Sequence, residues 1–261
     1  MRKDGLGMDA RDGGLNVGPS SHGCPDTRLR IALIRHAPTP GNLEGRYIGA
    51  TDEALSEDGR TLAYAMRPRQ AALRPSLLLT SGLRRCDETA AILFPALSPT
   101  HVPGLAEMRF GAFEDKTYAE LSGDPRYQAW VDAECTTPCP GGEGQAGFVG
   151  RVREALATAL DECVGRLAIA PAKLQPEGSP GTDAPTGESS FTRRNDPFAH
   201  VDVAMLVHAG TIMAAMSALA QPPRPYWDWK ASYCAGYAAD AVRTENGWQL
   251  AHVRELPGGM E

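Results

Sequence analysis

Residues 30–42 read RIALIRHAPTPGN. Arg30 to Arg35 is a short apolar run with β-branched members, and a cluster of Pro, Thr, Gly and Asn follows it. That pattern describes a buried strand ending in a loop. Two more runs of the same kind lie downstream, SLLLT at Ser76–Thr80 and Val201–Val207. Helical patterns separate them. Leu55–Leu73 opens on Ser56 with Glu57 and Asp58 in its first turn, the signature of a helix start. Pro68 falls within it and predicts a kink or an early end. Further helices are expected over Gly82–Leu93, Glu120–Cys135, Phe148–Leu167 and Thr211–Leu219. Tyr233–Val242 and Trp248–Val253 read as two closing strands joined by a turn at Glu245-Asn246-Gly247. Strands alternating with helices predict an α/β fold, a three-layer sandwich whose mostly parallel sheet carries helices on both faces.

Composition narrows the function. The 261 residues are 42% hydrophobic and 22% charged, and 26 Lys and Arg against 32 Asp and Glu give a net charge of −6. Such a balance lacks the basic field that a nucleic-acid backbone requires. A phosphorylated small molecule remains compatible, provided a few focused Arg side chains meet its phosphate. Val201–Ala220 is the most apolar stretch, but Asp202 and His208 make it a poor membrane span. Residues 1–28 are Gly-rich, mix both charge signs and lack the apolar core of a signal peptide, so they read as a disordered tail. A flexible insertion at about 170–197, rich in Pro, Gly, Ser and Thr, interrupts a domain spanning 29–261. Six scattered cysteines, Cys24, Cys86, Cys135, Cys139, Cys163 and Cys234, fit a reduced, cytoplasmic protein. Cys135 and Cys139 have a spacing that zinc sites use, but no second pair accompanies them, and no metal site is assigned.

Ligands of open α/β sheets bind outside the carboxyl ends of the strands. There the first strand delivers Arg35-His36, the second Ser81-Gly82-Leu83-Arg84-Arg85, and the third His208-Ala209-Gly210. Any one of these His residues alone reads as a structural hydrogen-bonder. Two imidazoles and two guanidiniums sharing one crevice would repel each other unless an anion occupied it. Arg forks match phosphate oxygens, and a neutral imidazole can accept a phosphoryl group.

The stretch Leu33–Asn42, LIRHAPTPGN, resembles the signature of the histidine phosphatase superfamily, whose fold is phosphoglycerate-mutase-like. Supporting blocks follow in the family's order: GRYIGATDEALSEDG at Gly45–Gly59, SGLRRCDETA at Ser81–Ala90, LAEMRFGAFEDK at Leu105–Lys116, PGGEG at Pro140–Gly144 and LVHAGTI at Leu206–Ile212. The similarity covers about Leu29 to Val253. Within the superfamily, the Arg-His-Ala-Pro-Thr start, Glu-Met-x-Phe-Gly and Gly-Glu-Gly are most similar to the alpha-ribazole phosphatases of cobalamin biosynthesis.

The resemblance implies a hydrolase, a metal-independent phosphomonoesterase that acts through a phosphohistidine and needs no cofactor. It makes His36 the nucleophile. Arg35, Arg85, Asn42 and His208 would bind the phosphate, with Thr39 a minor ligand, and Glu107 would be the acid that protonates the leaving oxygen. Glu107 then needs a raised pKa, toward which Met108 and Phe110 could contribute. Ala37 and Pro38 stand where the family usually has Gly and Glu, beside the site. A cofactor-dependent phosphoglycerate mutase and a non-catalytic binding protein on the same fold are the alternatives. Tyr127 and Trp130, three apart on an expected helix, either stack on a flat leaving group or pack into the core.

Overall fold

The computed structural model describes residues 27–169 and 200–258. The expected insertion at 170–197 and nearly all of the expected tail lie outside the described residues, as does Cys24. Arg28 does not belong to a tail: it opens the first strand, and Arg243 donates from its backbone to Thr27.

A six-stranded sheet forms the middle layer, in the order β3-β2-β4-β1-β5-β6. Its strands are β1 (Arg28–Arg35), β2 (Leu77–Thr80), β3 (Thr100–His101), β4 (Val203–Val207), β5 (Gly236–Thr244) and β6 (Gly247–Leu256). The first four neighbours run parallel, while β5 and β6 close one edge as an antiparallel hairpin. β3 is two residues long, too short to leave a periodic signal in the sequence. Helices in chain order are α1 (Pro40–Leu43), α2 (Glu57–Ala71), α3 (Arg84–Leu93), α4 (Tyr118–Leu121), α5 (Pro125–Asp132), α6 (Gln145–Ile169) and α7 (Ala209–Leu219).

Alternating side chains of one strand go to opposite faces, and here that alternation builds both outer layers. Ile31 and Leu33 of β1, with Val203, Met205 and Val207 of β4, pack against α6 and α7. Ala32 and Ile34, with Ala204 and Leu206, pack against α2 and α3. A third cluster, Phe113, Leu121, Tyr127, Trp130 and Cys139, lies apart under the loops that carry α4 and α5.

Two expectations need correction. The single helix predicted over Glu120–Cys135 is broken into α4 and α5. Asp124 accepts from the Arg126 backbone and Pro125 takes the first helical position, so a new helix starts there. Pro68, in turn, does not end its helix, since α2 continues to Ala71. The carbonyl left without a donor belongs to Tyr64, whose residue is exposed, so water can take the bond. Gln70, near the helix end, is buried and donates to the Cys234 carbonyl at 2.7 Å.

Candidate active site

β1 and β4 are parallel neighbours with Arg35 opposite Val207, so the residues that follow each strand emerge side by side. His36 extends the ladder by donating its backbone N–H to Val207 O at 2.9 Å. The His36 and His208 rings meet edge to face, with centroids 5.1 Å apart. β2 lies on the other side of β4 and delivers Ser81 beside His208. Gly82, at φ +84°, turns the chain from β2 toward α3, a conformation that favours glycine.

His36 makes one ring hydrogen bond among the described residues, from Nδ1 to Ala37 O at 2.7 Å. A carbonyl only accepts, so Nδ1 carries the proton and Nε2 keeps its lone pair. Burial, reinforced by the Arg85 charge, pushes this imidazole well below its ordinary pKa. The ring is therefore neutral near pH 7, the state in which it can act as a nucleophile.

Arg85 is fully buried at the start of α3, whereas Arg84 lies on the surface against Glu88. The Arg85 guanidinium is held at three points. Nε donates to His208 Nδ1 at 3.2 Å, and the two terminal nitrogens donate to Thr51 O at 2.7 Å and Gly49 O at 2.8 Å. Each terminal nitrogen retains one more N–H. His208 then donates from Nε2 to Ser81 Oγ at 2.9 Å. Both of its nitrogens are engaged within the protein, and burial holds it neutral, well below its ordinary pKa. Arg35 stacks on Tyr233, 3.7 Å from the ring centroid, and donates to Ala231 O. Its Nε is buried and has no hydrogen-bond partner among the described residues.

Glu107 is buried between two backbone donors, Met108 N to Oε1 and Gly210 N to Oε2, both at 2.9 Å. Desolvation raises its pKa, against the opposing pull of those two N–H groups and of the Arg85 and Arg35 charges. The carboxylate lies so close to the first turn of α7 that a Cβ on Gly210 would fall 2.2 Å from Oε1. Glycine is required at that position by the approach of the acid.

Thr39 has a structural part beside the one expected. It is buried and serves as the cap of α1, its hydroxyl accepting from Asn42 N while Asn42 Oδ1 accepts from Thr39 N. Asn42 itself lines a cavity of about 420 Å³ together with Arg35 and Glu107. Tyr47, Phe110, Trp130, Tyr226 and Trp227 form much of the remaining wall, with Met108 and Met213. Tyr127 is core: it is buried, and its hydroxyl pairs with that of Tyr47 at 2.6 Å. Trp130 packs in the same cluster and also lines the cavity. Tyr226, Trp227 and Tyr233 were not among the expected site residues. Their signal is an aromatic cluster in the loop PPRPYWDWKASY at 222–233, which has no helical or strand period to announce it.

No group of three or more His, Cys, Asp or Glu among the described residues is arranged to hold a metal ion. Nor is any described helix long and apolar enough to cross a membrane.

Comparison with known proteins agrees with this geometry. A protein from Erwinia tasmaniensis named "probable phosphoglycerate mutase" is 32% identical over 140 residues, 52% of this chain and 63% of that protein. The match thus spans less than two thirds of that relative's length. The adenosylcobalamin/alpha-ribazole phosphatase of Salmonella typhimurium is 29% identical over 148 residues, 54% of this chain and 73% of that protein. The crystal structure of the alpha-ribazole phosphatase from Shigella flexneri superposes with a TM-score of 0.59 at 20% identity, over 89% of this chain and all of that one; it bears on the fold alone. The sequence model of the histidine phosphatase superfamily, branch 1, matches residues 31–170, a stretch that carries Arg35, His36, Arg85 and Glu107. With those four residues gathered at one sheet edge, the chain belongs to the histidine phosphatase superfamily.

Proposed function

We propose that the protein is a metal-independent phosphomonoesterase working through a phosphohistidine on His36. One observation carries the reading. A buried, neutral imidazole lies beside two guanidiniums, and among the described residues neither its Nε2 nor the buried Nε–H of Arg35 has a hydrogen-bond partner. Such a crevice is complementary to a phosphate dianion.

In this reading, His36 Nε2 attacks phosphorus as the bond to the ester oxygen breaks, and Glu107 gives that oxygen its proton. Water then attacks phosphorus as its bond to His36 Nε2 breaks and loses a proton to Glu107, which releases inorganic phosphate and restores both groups. Arg35 and the remaining N–H groups of Arg85 stabilise the charge on the equatorial oxygens, the task that metal ions perform in other phosphoryl-transfer enzymes. Asn42, at the cavity edge, supplies a further donor. His208 contributes through Arg85, whose Nε it receives, and can turn its Nε2–H from Ser81 to the phosphate.

The leaving group then occupies the aromatic cavity. Among the described residues, its wall holds one cation besides Arg35, Arg46, and Arg46 is committed to Glu44, Glu120 and the Asp115 carbonyl at 2.7–3.1 Å. With Arg35 assigned to the phosphate, a substrate carboxylate meets no further uncommitted positive charge among the described residues, which disfavours 3-phosphoglycerate. A flat, uncharged leaving group gains stacking of about 1 kcal/mol for a good aromatic contact. Alpha-ribazole 5′-phosphate is the substrate of this class that the resemblance suggests.

Two measurements test the proposal in the presence of EDTA. Alkali-quenched enzyme should carry an alkali-stable, acid-labile phosphoryl group that H36A cannot form, and kcat/KM should favour alpha-ribazole 5′-phosphate over 3-phosphoglycerate. Turnover by H36A above background, or an equal or higher value for 3-phosphoglycerate, would overturn the corresponding half of the reading.

A further inference from the structure

The loop that holds Arg85 is itself held from the other side. Gly49 and Thr51 offer their carbonyls to the two terminal nitrogens of Arg85. Their N–H groups point the opposite way, onto a single carboxylate oxygen. Glu114 Oε1 accepts from Gly49 N at 2.7 Å, from Thr51 N at 2.9 Å and from Thr51 Oγ1 at 2.9 Å. Its second oxygen accepts from Phe110 N at 3.2 Å, in the wall of the cavity. The loop is also pressed flat, since a Cβ on Gly49 would lie 2.0 Å from the Met108 carbonyl. One residue further on, Asp52 accepts from Arg84 N at 2.7 Å and so ties the same loop to the first turn of α3.

We propose that Glu114 is the positioning residue of the phosphate site, fixing the Gly49–Thr51 loop so that Arg85 presents its remaining N–H groups as a rigid fork. The proposal rests on the reading of Arg85 as a phosphate ligand. Glu114 reaches Arg85 only through the loop. A direct ion pair would take up the N–H groups that the phosphate needs, whereas a grip on the loop orients the guanidinium and leaves them open. The family resemblance assigns no role to Glu114, and three of its four hydrogen bonds go to residues 49 and 51.

The test is competitive inhibition by inorganic phosphate against p-nitrophenyl phosphate, measured on R85A, E114A, E114D and E114Q, with melting temperature followed in parallel. E114A should raise the phosphate Ki about tenfold or more. E114D, one methylene shorter and unable to reach both Gly49 and Phe110, should raise it as well, and it carries the test if E114A does not fold. E114Q can keep its carbonyl oxygen on Gly49 and Thr51, and should stay within about threefold of the parent. A merely structural role would lower the melting temperature in all three variants without moving Ki in the folded fraction. Unchanged Ki in folded E114A or E114D, with Ki raised in R85A, would overturn the inference alone. Unchanged Ki in R85A would overturn the assignment of Arg85, and the inference with it.

Discussion

The two ends of the site are built by different means. At the phosphate end, His36, Arg85 and His208 follow parallel strands or open the next helix, and all are buried. Their positions are set by the strand ladder and by hydrogen bonds to backbone carbonyls. At the leaving-group end, the wall comes from loops and short helices scattered from Tyr47 to Trp227, and Trp227 is 44% exposed. Side chains fixed by a sheet can hold a transition state to a fraction of an ångström. Side chains on loops can be exchanged without disturbing it. On the proposed function, the first end would set the reaction and the second would set which ester enters.

If that division holds, perturbations of each end should leave separate kinetic marks. The largest effect is expected of Glu107→Gln on esters with poor leaving groups, a fall in kcat of about 10²–10⁴-fold. p-Nitrophenyl phosphate, whose leaving group needs little protonation, should lose much less. The pH profile sharpens this. His36 must be neutral, so kcat/KM falls as pH drops through its lowered pKa, which lies below 6.5. Glu107 must be protonated, so activity falls as pH rises through its raised pKa, which lies above 4.5. Glu107→Gln should abolish the alkaline limb and keep the acid one. An equal loss on both kinds of ester would show that the acid is elsewhere.

Gly210→Ala should come next. The new methyl displaces the Glu107 carboxylate, and a misplacement of about 1 Å costs about a hundredfold in kcat for alkyl esters. The affinity for vanadate should stay unchanged, because no phosphate ligand is touched; a parallel loss of vanadate binding would break the division between the two ends.

The smallest effect belongs to the outer wall. Trp227→Ala should raise KM about fivefold for aromatic or nucleoside-like esters, the loss of about 1 kcal/mol of stacking, and leave glycerol phosphate unaffected. Equal effects on both would make Trp227 a structural residue.

The same contrast decides what can be read from the chain itself. RIALIR and VAMLV are short apolar runs each followed directly by a His, so strand, strand end and candidate site residue are contiguous in sequence. Arg84 and Arg85 both follow the second strand closely, and the family resemblance singles out Arg85 of the two. The aromatic wall has no such continuity, because Tyr47, Phe110 and Tyr226 meet only after the chain has folded. Thr39 was legible as a hydroxyl near the site but not as a cap, since a four-residue helix leaves no period. The break between α4 and α5 did carry a signal in Gly123-Asp124-Pro125, which a search for apolar spacing alone passes over.

The paired imidazoles also have a consequence for folding. Both are held neutral by burial and by the Arg85 charge, whereas in an unfolded chain each would bind a proton below about pH 6.5. The unfolded state therefore takes up protons that the native state refuses. As acidity increases from that point, each His withdraws up to about 1.4 kcal/mol of native stability per pH unit, until its own lowered pKa is reached. The burial that keeps both imidazoles neutral thus makes the domain a proton-sensitive fold, one whose unfolding in mild acid draws on two histidines at once.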